Sequence, residues 1–183
     1  MAVNVPELDL GLPGLLRESW FRFVLADPTT FHATILLAAS SYVSVNGRTS
    51  DVPDLAHLKQ RAVQAVRSDL QNYERLDTDH LVSAVVKLAC HEAIYGTYSL
   101  YEIHMKAVAM LLSRRGGLNS LGLNGLLKRM CLWVESNVAF LHNSPRQLFV
   151  GEALIPPNPL HFIGPEWRRT WSDRSLSPDY QSD

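Results

Sequence analysis

The sequence predicts an all-α fold: an antiparallel bundle of about six helices, followed by an irregular, proline-rich C-terminal segment. Three observations predict it. Apolar residues recur at helical spacing in six segments, and no stretch alternates as a strand does. The connections between the segments are short, which favours antiparallel neighbours. The stretch Asp77 to Leu118 reads as two helices joined tightly, and the first of them is apolar on nearly every side.

The first helix runs from Leu15 to Ala26, with Leu15, Leu16, Trp20, Phe21, Val24 and Leu25 at helical spacing. It stops before Pro28, because a residue preceding proline avoids the α region. Asp27 and Pro28 then start the second helix, as N-cap and first helical residue. Its expected buried face is Phe31, Ile35, Leu36, Ala38, Ala39 and Tyr42, and Asn46-Gly47 ends it. A loop from Arg48 to Pro53 leads into the third helix, where Leu55, Leu58, Ala62, Val63, Val66, Leu70 and Tyr73 form one stripe. Lys59, Gln60, Arg61, Gln64, Arg67, Ser68 and Gln71 form its wet side, so it belongs on the outside of the bundle.

The fourth helix, about His80 to Tyr95 and capped by Asp77 or Asp79, is interrupted only by Ser83, Lys87, His91 and Glu92. An all-apolar helix is either central or membrane-spanning. Lys87 and His91-Glu92 break the run short of the ~18 residues a span needs, so it is read as central. The fifth begins with Ser99-Leu100-Tyr101-Glu102, the pattern of a capping box. It ends with Arg114 and Arg115, cations suited to a helix C-terminus, and Gly116-Gly117, which can turn left-handed. The last helix carries Leu126, Leu127, Met130, Leu132, Trp133, Val134, Val138, Ala139 and Leu141, and closes at Asn143-Ser144-Pro145. Six of the ten prolines lie from Pro145 onward, so residues 15–149 read as the helical domain and 150–183 as an irregular segment, with Trp167 and Trp171 as anchors.

Composition excludes several classes. A net charge of −1 argues against a general polyanion binder, so no direct nucleic-acid contact is expected. No apolar leader opens the sequence, and no membrane partner is expected. Cys90 and Cys131 read as buried free thiols.

His91-Glu92-Ala93-Ile94-Tyr95 resembles the start of H-E-x-x-H, but Tyr95 replaces the second ligand, so no metal is expected. No nucleophile elbow or phosphate-binding glycine loop is present, and neither a catalytic residue nor a cofactor is assigned. Glu92 in so apolar a helix needs a partner, which His104 or an arginine of the next helix can supply. Glu92, His104, Arg114 and Arg115 are therefore the candidate pocket residues.

One order of motifs carries more. Asp27-Pro28-x-x-Phe31-His32-Ala33 precedes Leu36-Leu37-Ala38-Ala39, then Leu58-Lys59-x-x-Ala62-Val63, then Leu88-Ala89-x-x-Glu92-x-x-x-Gly96. His104-Met105-Lys106-Ala107 and Leu111-Leu112-x-Arg114-Arg115-Gly116-Gly117-Leu118 follow, with the Trp133 helix and the Pro145 to Phe149 region as continuation. This order resembles the regulatory domain of fungal zinc-cluster transcription factors, over about Leu15 to Phe149. The resemblance implies a nuclear all-α domain that modulates transcription, binds protein partners or a second copy of itself, and responds to a small-molecule effector. In that family a six-cysteine module holding two zinc ions reads DNA. The cysteine run is missing here, so DNA reading in the family's way is not expected of this chain. Two other readings follow from the residues: a bundle enzyme in which Glu92 and His104 act as an acid/base pair, with the carboxyl pKa raised by burial, and a dimerisation scaffold.

Overall fold

The computed structural model describes residues 19–47, 54–146 and 148. Among these the chain is all-α. The helices are α1 (Phe21–Leu25), α2 (Pro28–Asn46), α3 (Leu55–Gln71), α4 (Asp79–Tyr95), α5 (Tyr98–Arg115) and α6 (Leu126–His142), with single 3₁₀ turns at Tyr73–Arg75, Leu118–Ser120 and Leu123–Gly125. Leu15, Leu16, the Arg48 to Pro53 loop, Phe149, and the 150–183 segment with Trp167 and Trp171 lie outside the described residues.

α4 is the hub. It packs against α2, α3, α5 and α6, and every residue from Leu81 to Ala93 is buried except Lys87. Leu36, Leu81, Leu88, Met105, Leu111 and Leu127 are fully buried in the core around it, each worth roughly 1.5–3 kcal/mol of transfer free energy. A second, smaller cluster joins Trp20 and Val24 to Leu126 and Met130. Lys87 sets its ammonium over the Trp20 ring, 4.9 Å from the centroid, where burial pulls its pKa down. Cys90 and Cys131 are buried free thiols, and burial raises both pKa values, that of Cys131 to about 12. No helix among the described residues is long and apolar enough to cross a membrane.

Several caps fall where the residue pattern places them. Asp27 caps α2 through Thr30 N–H at 2.9 Å, with Pro28 at the first position. Gly47 and Gly116 close α2 and α5 in the left-handed region, at φ 65° and 86°. Two caps differ. α4 is capped by Thr78, whose hydroxyl accepts from Leu81 N–H, and neither Asp77 nor Asp79 serves. α5 is capped by Thr97 through Leu100 N–H, so Ser99 lies within the helix and the Ser99-Glu102 capping box does not form. A threonine hydroxyl does the same chemistry as serine, and it sits next to Gly96, where the chain reverses.

The buried face of α2 also differs from expectation. Phe31, Ala38 and Tyr42 are exposed, whereas Thr29, Thr30 and Ser40 are buried beside Ala33, Leu36 and Ala39. α2 is apolar nearly all round, so periodicity leaves its rotation open. Hydrogen bonds decide it: Thr30 and Ser40 turn inward because α4 offers them His80 and His91. On α1, Phe21 and Leu25 are exposed, while Val24, the partly buried Phe23 and Trp20 just before the helix reach the core. Tyr73 lies past the end of α3 and is 77% exposed, so it leaves the α3 stripe.

Candidate functional site

Glu92 lies in the last turn of α4 and is 1% exposed. Its partner comes from α3. Lys59 Nζ stands 2.6 Å from Glu92 Oε1. Lys59 therefore does not belong to the wet side of α3, and neither His104 nor an arginine pairs with Glu92. The physical reason is reach: a lysine at the edge of an apolar stripe can lay its methylenes along the stripe and carry its ammonium inward.

His91 extends the cluster to α2. Its Nε2 is 3.1 Å from Ser40 Oγ, and its Nδ1 is 3.7 Å from Glu92 Oε1, beyond hydrogen-bond reach. Burial pushes the Glu92 carboxyl pKa up, but the adjacent His91 and the Lys59 ammonium pull harder and hold it at about 2. Since Nδ1 stands off, the short contact to Lys59 is the dominant pull. Glu92 is thus an ionised anchor, and the raised pKa a buried acid/base pair requires is not found.

His104 lies on α5, half-buried, with its pKa lowered by burial and opposed by the field of Glu92. It shares the electrostatic neighbourhood of Glu92 without a hydrogen bond to it. Arg114 and Arg115 stand at the opposite end of α4. Arg115 NH2 meets Asp79 Oδ1 at 2.5 Å and the Ser120 carbonyl at 3.2 Å, while Asp79 Oδ2 accepts from Gly122 N–H at 3.0 Å. Arg114 reaches Asp77 at 3.4 Å on the surface and lies 5.8 Å from the Tyr73 ring centroid. The four candidate residues therefore divide between the two ends of the α4–α5 hairpin and line no common pocket.

A third joint was not legible in the sequence. Asp27 pairs with Arg75, which also bonds Asp69 at 2.9 Å. Beside it the His80 ring stacks on Phe23, centroids 3.9 Å apart, and its Nδ1 lies 3.2 Å from Thr30 Oγ1.

Among the described residues two hydroxyl–imidazole contacts stand in the field of a carboxylate: Ser40-His91 by Glu92 and Thr30-His80 by Asp27. Neither is set up as a nucleophile. Thr30 spends its proton on the His80 carbonyl at 3.0 Å, so the imidazole can only donate to that oxygen. Ser40 is 4% exposed, and a nucleophilic hydroxyl needs room for an incoming carbonyl. Both sets fasten helices. The first, with Lys59, ties α2, α3 and α4 together. The second ties the start of α2 to the start of α4. Among the described residues no group of His, Cys, Asp and Glu is arranged to hold a metal ion.

Gly96 completes the anchor. A Cβ built there would lie 1.8 Å from Glu92 Oε2 and 2.9 Å from the Glu92 Cα. This accounts physically for the Glu92-x-x-x-Gly96 spacing: the carboxylate folds over a residue without a side chain. Gly96→Ala is expected to destabilise the fold by about 1–3 kcal/mol through overpacking, measured by urea denaturation. In the Glu92→Ala background the same substitution should cost distinctly less, since the carboxylate no longer occupies the space. Comparison of the chain with protein-family models, with curated proteins and with solved structures finds no match.

Proposed function

We propose that the chain is a helical regulatory domain of the fungal zinc-cluster type, modulating transcription through protein partners or a second copy without reading DNA itself. One observation supports the reading most. Polar residues of the ordered motifs sit at the joints between helices. Asp27 caps α2 and meets Arg75, Lys59 meets Glu92 across α3 and α4, Glu92 folds over Gly96, and Arg115 meets Asp79 across α4 and α5. Motifs that serve as joints are what a regulatory scaffold needs, because their order and spacing encode the packing of a whole bundle. An enzyme of this size would instead concentrate its marked residues at one cleft.

The test is tethering. The full chain is fused to a heterologous DNA-binding module and scored with a reporter in fungal nuclei. A change of reporter output relative to the module alone, lost in a Lys59→Met/Asp27→Ala fusion that is expressed at the same level, is the expected result. Reporter output equal to that of the module alone in every fusion would overturn the reading.

A further inference from the structure

A groove of about 370 Å³ opens between α2 and α3, lined by His32, His57, Gln60, Arg61, Gln64 and Ala65. His57, Gln60, Arg61 and Gln64 follow the i, i+3, i+4, i+7 spacing that places them on one helix face. His32 faces them from α2, half-buried and in edge contact with Phe31, ring centroids 6.0 Å apart. The simplest account of such residues is a solvated helix face. Two observations argue for more.

First, the lining carries an arginine, two imidazoles and two amides and no carboxylate. The arginines that join helices in this fold each have an aspartate: Arg75 has Asp27 and Asp69, Arg114 has Asp77, Arg115 has Asp79. Arg61 has no acidic partner among the described residues and faces His32 instead. Second, Arg61 acts on His32: burial and the guanidinium charge both pull the His32 pKa down, so the ring stands neutral beside the cation. The fold therefore holds a guanidinium beside an imidazole with no carboxylate in the groove lining to balance its charge. A bound anion would supply that balance.

We propose that this groove binds a small anion of the phosphate class, either inorganic phosphate or the phosphoryl group of a compact metabolite. Arg61 offers a planar pair of N–H donors that matches two phosphate oxygens. His32 and His57 supply a ring N–H each, and Gln60 and Gln64 supply amide N–H groups to neighbouring oxygens. The volume lies in the range of small-molecule clefts and is well above what one phosphate fills. The anion favours the protonated His32 ring, so binding takes up a proton and strengthens as the pH falls, by up to about tenfold per pH unit. The group that sets this response is His32 on α2, faced by the Arg61 guanidinium on α3. The inference stands apart from the regulatory reading, since it needs only the groove.

The experiment is a titration of the full chain with inorganic phosphate, pyrophosphate and glucose 6-phosphate at constant ionic strength, read by calorimetry and by backbone amide shifts, at about pH 6 and about pH 8. Saturable binding is expected, with shifts centred on His32, His57 and Gln60 to Gln64 and tighter at the lower pH. Arg61→Gln and His32→Gln should each weaken it about tenfold or more, a change expected when a charge-assisted bond is lost. Arg67→Gln, an exposed change on α3 outside the groove, should leave it intact. Tighter binding of glucose 6-phosphate than of phosphate assigns the groove to metabolites, and the reverse order assigns it to the free ion. The proposal is overturned by shifts spread over the surface cations, by binding unchanged in Arg61→Gln with its circular dichroism intact, or by a response to Zn²⁺ alone.

Discussion

Lys59→Met is expected to lower stability by roughly 2 kcal/mol, the cost of leaving the buried Glu92 carboxylate without its cation. A fully buried pair broken this way costs about 3–5 kcal/mol. The lower figure applies because the Lys59 side chain is 38% exposed, so water screens part of the attraction. Glu92→Leu in the Lys59→Met background should recover most of the loss, because an apolar pair avoids the desolvation of both charges. The double-mutant cycle, read as urea midpoints at unchanged slope, isolates the pair. Acid supplies the second readout. The Glu92 carboxyl lies at about 2 in the fold against 4.5 without it. A group with a depressed folded value stabilises above its unfolded value, and that contribution is lost as the pH falls from about 4.5 toward 2. Glu92→Gln should flatten the stability profile over that window. A Lys59→Met protein as stable as the parent would show that Glu92 finds its compensation elsewhere.

The residues that made Glu92 legible in the sequence also show why its partner was not. A carboxylate in an apolar helix announces a requirement, and α4 states it plainly. Which cation meets the requirement depends on the crossing of α3 over α4, a property of packing that no local pattern holds. His104 and the arginines of α5 lie nearer in sequence, whereas Lys59 is grouped with polar neighbours on α3. α2 teaches the complementary lesson. Its ends are fixed by Asp27-Pro28 and Gly47, which act locally, so they could be read directly. Its rotation is fixed by Thr30 and Ser40 meeting His80 and His91, so a reading that ranks only apolar residues puts Phe31 and Tyr42 inside. The hub role of α4 was legible because it needs no partner to be specified: a helix apolar all round has one place in a bundle. The Thr97 cap shows a smaller failure of the same kind, since Thr97 and Ser99, two positions apart, offer two starts and the Gly96 reversal selects the first.

Asp27→Ala is expected to cost about 2–4 kcal/mol, because one side chain performs two tasks. Its Oδ1 accepts from Thr30 N–H, and loss of such a cap costs about 1 kcal/mol. Its Oδ2 meets Arg75, a charge-assisted bond worth about 1.5–3 kcal/mol. Asp27→Asn separates the tasks, since asparagine caps as well as aspartate and gives up only the charge. Arg75 retains Asp69 in either variant, whereas Arg75→Gln gives up both pairs and should cost more than Asp27→Asn. The pH profile distinguishes this joint from simple helix fraying. Burial raises the Asp27 carboxyl, but the Thr30 N–H and Arg75 outweigh it and the net shift is down, so its contribution is present above about 4 and lost below. His80 is shifted down by burial, while Asp27, Asp79 and Asp69 oppose that shift and Arg75 adds to it. A histidine held neutral in the fold stabilises above its unfolded value of 6.5, and that stability falls as the pH drops toward its folded value. Removing the Asp27 charge takes away one support of the His80 proton and moves its folded value lower still. The Asp27→Ala protein should therefore lose stability over a wider interval below pH 6.5 than the parent, and less below pH 4. Frayed α2 without a change at His80 would leave the interval below pH 6.5 as in the parent, and the His80 ring signals followed by NMR through the titration separate the two outcomes. If the joint holds α2 to α4 as described, the same variant also loosens the Ser40–His91 contact about three turns further on, because both bonds depend on one rotation of α2.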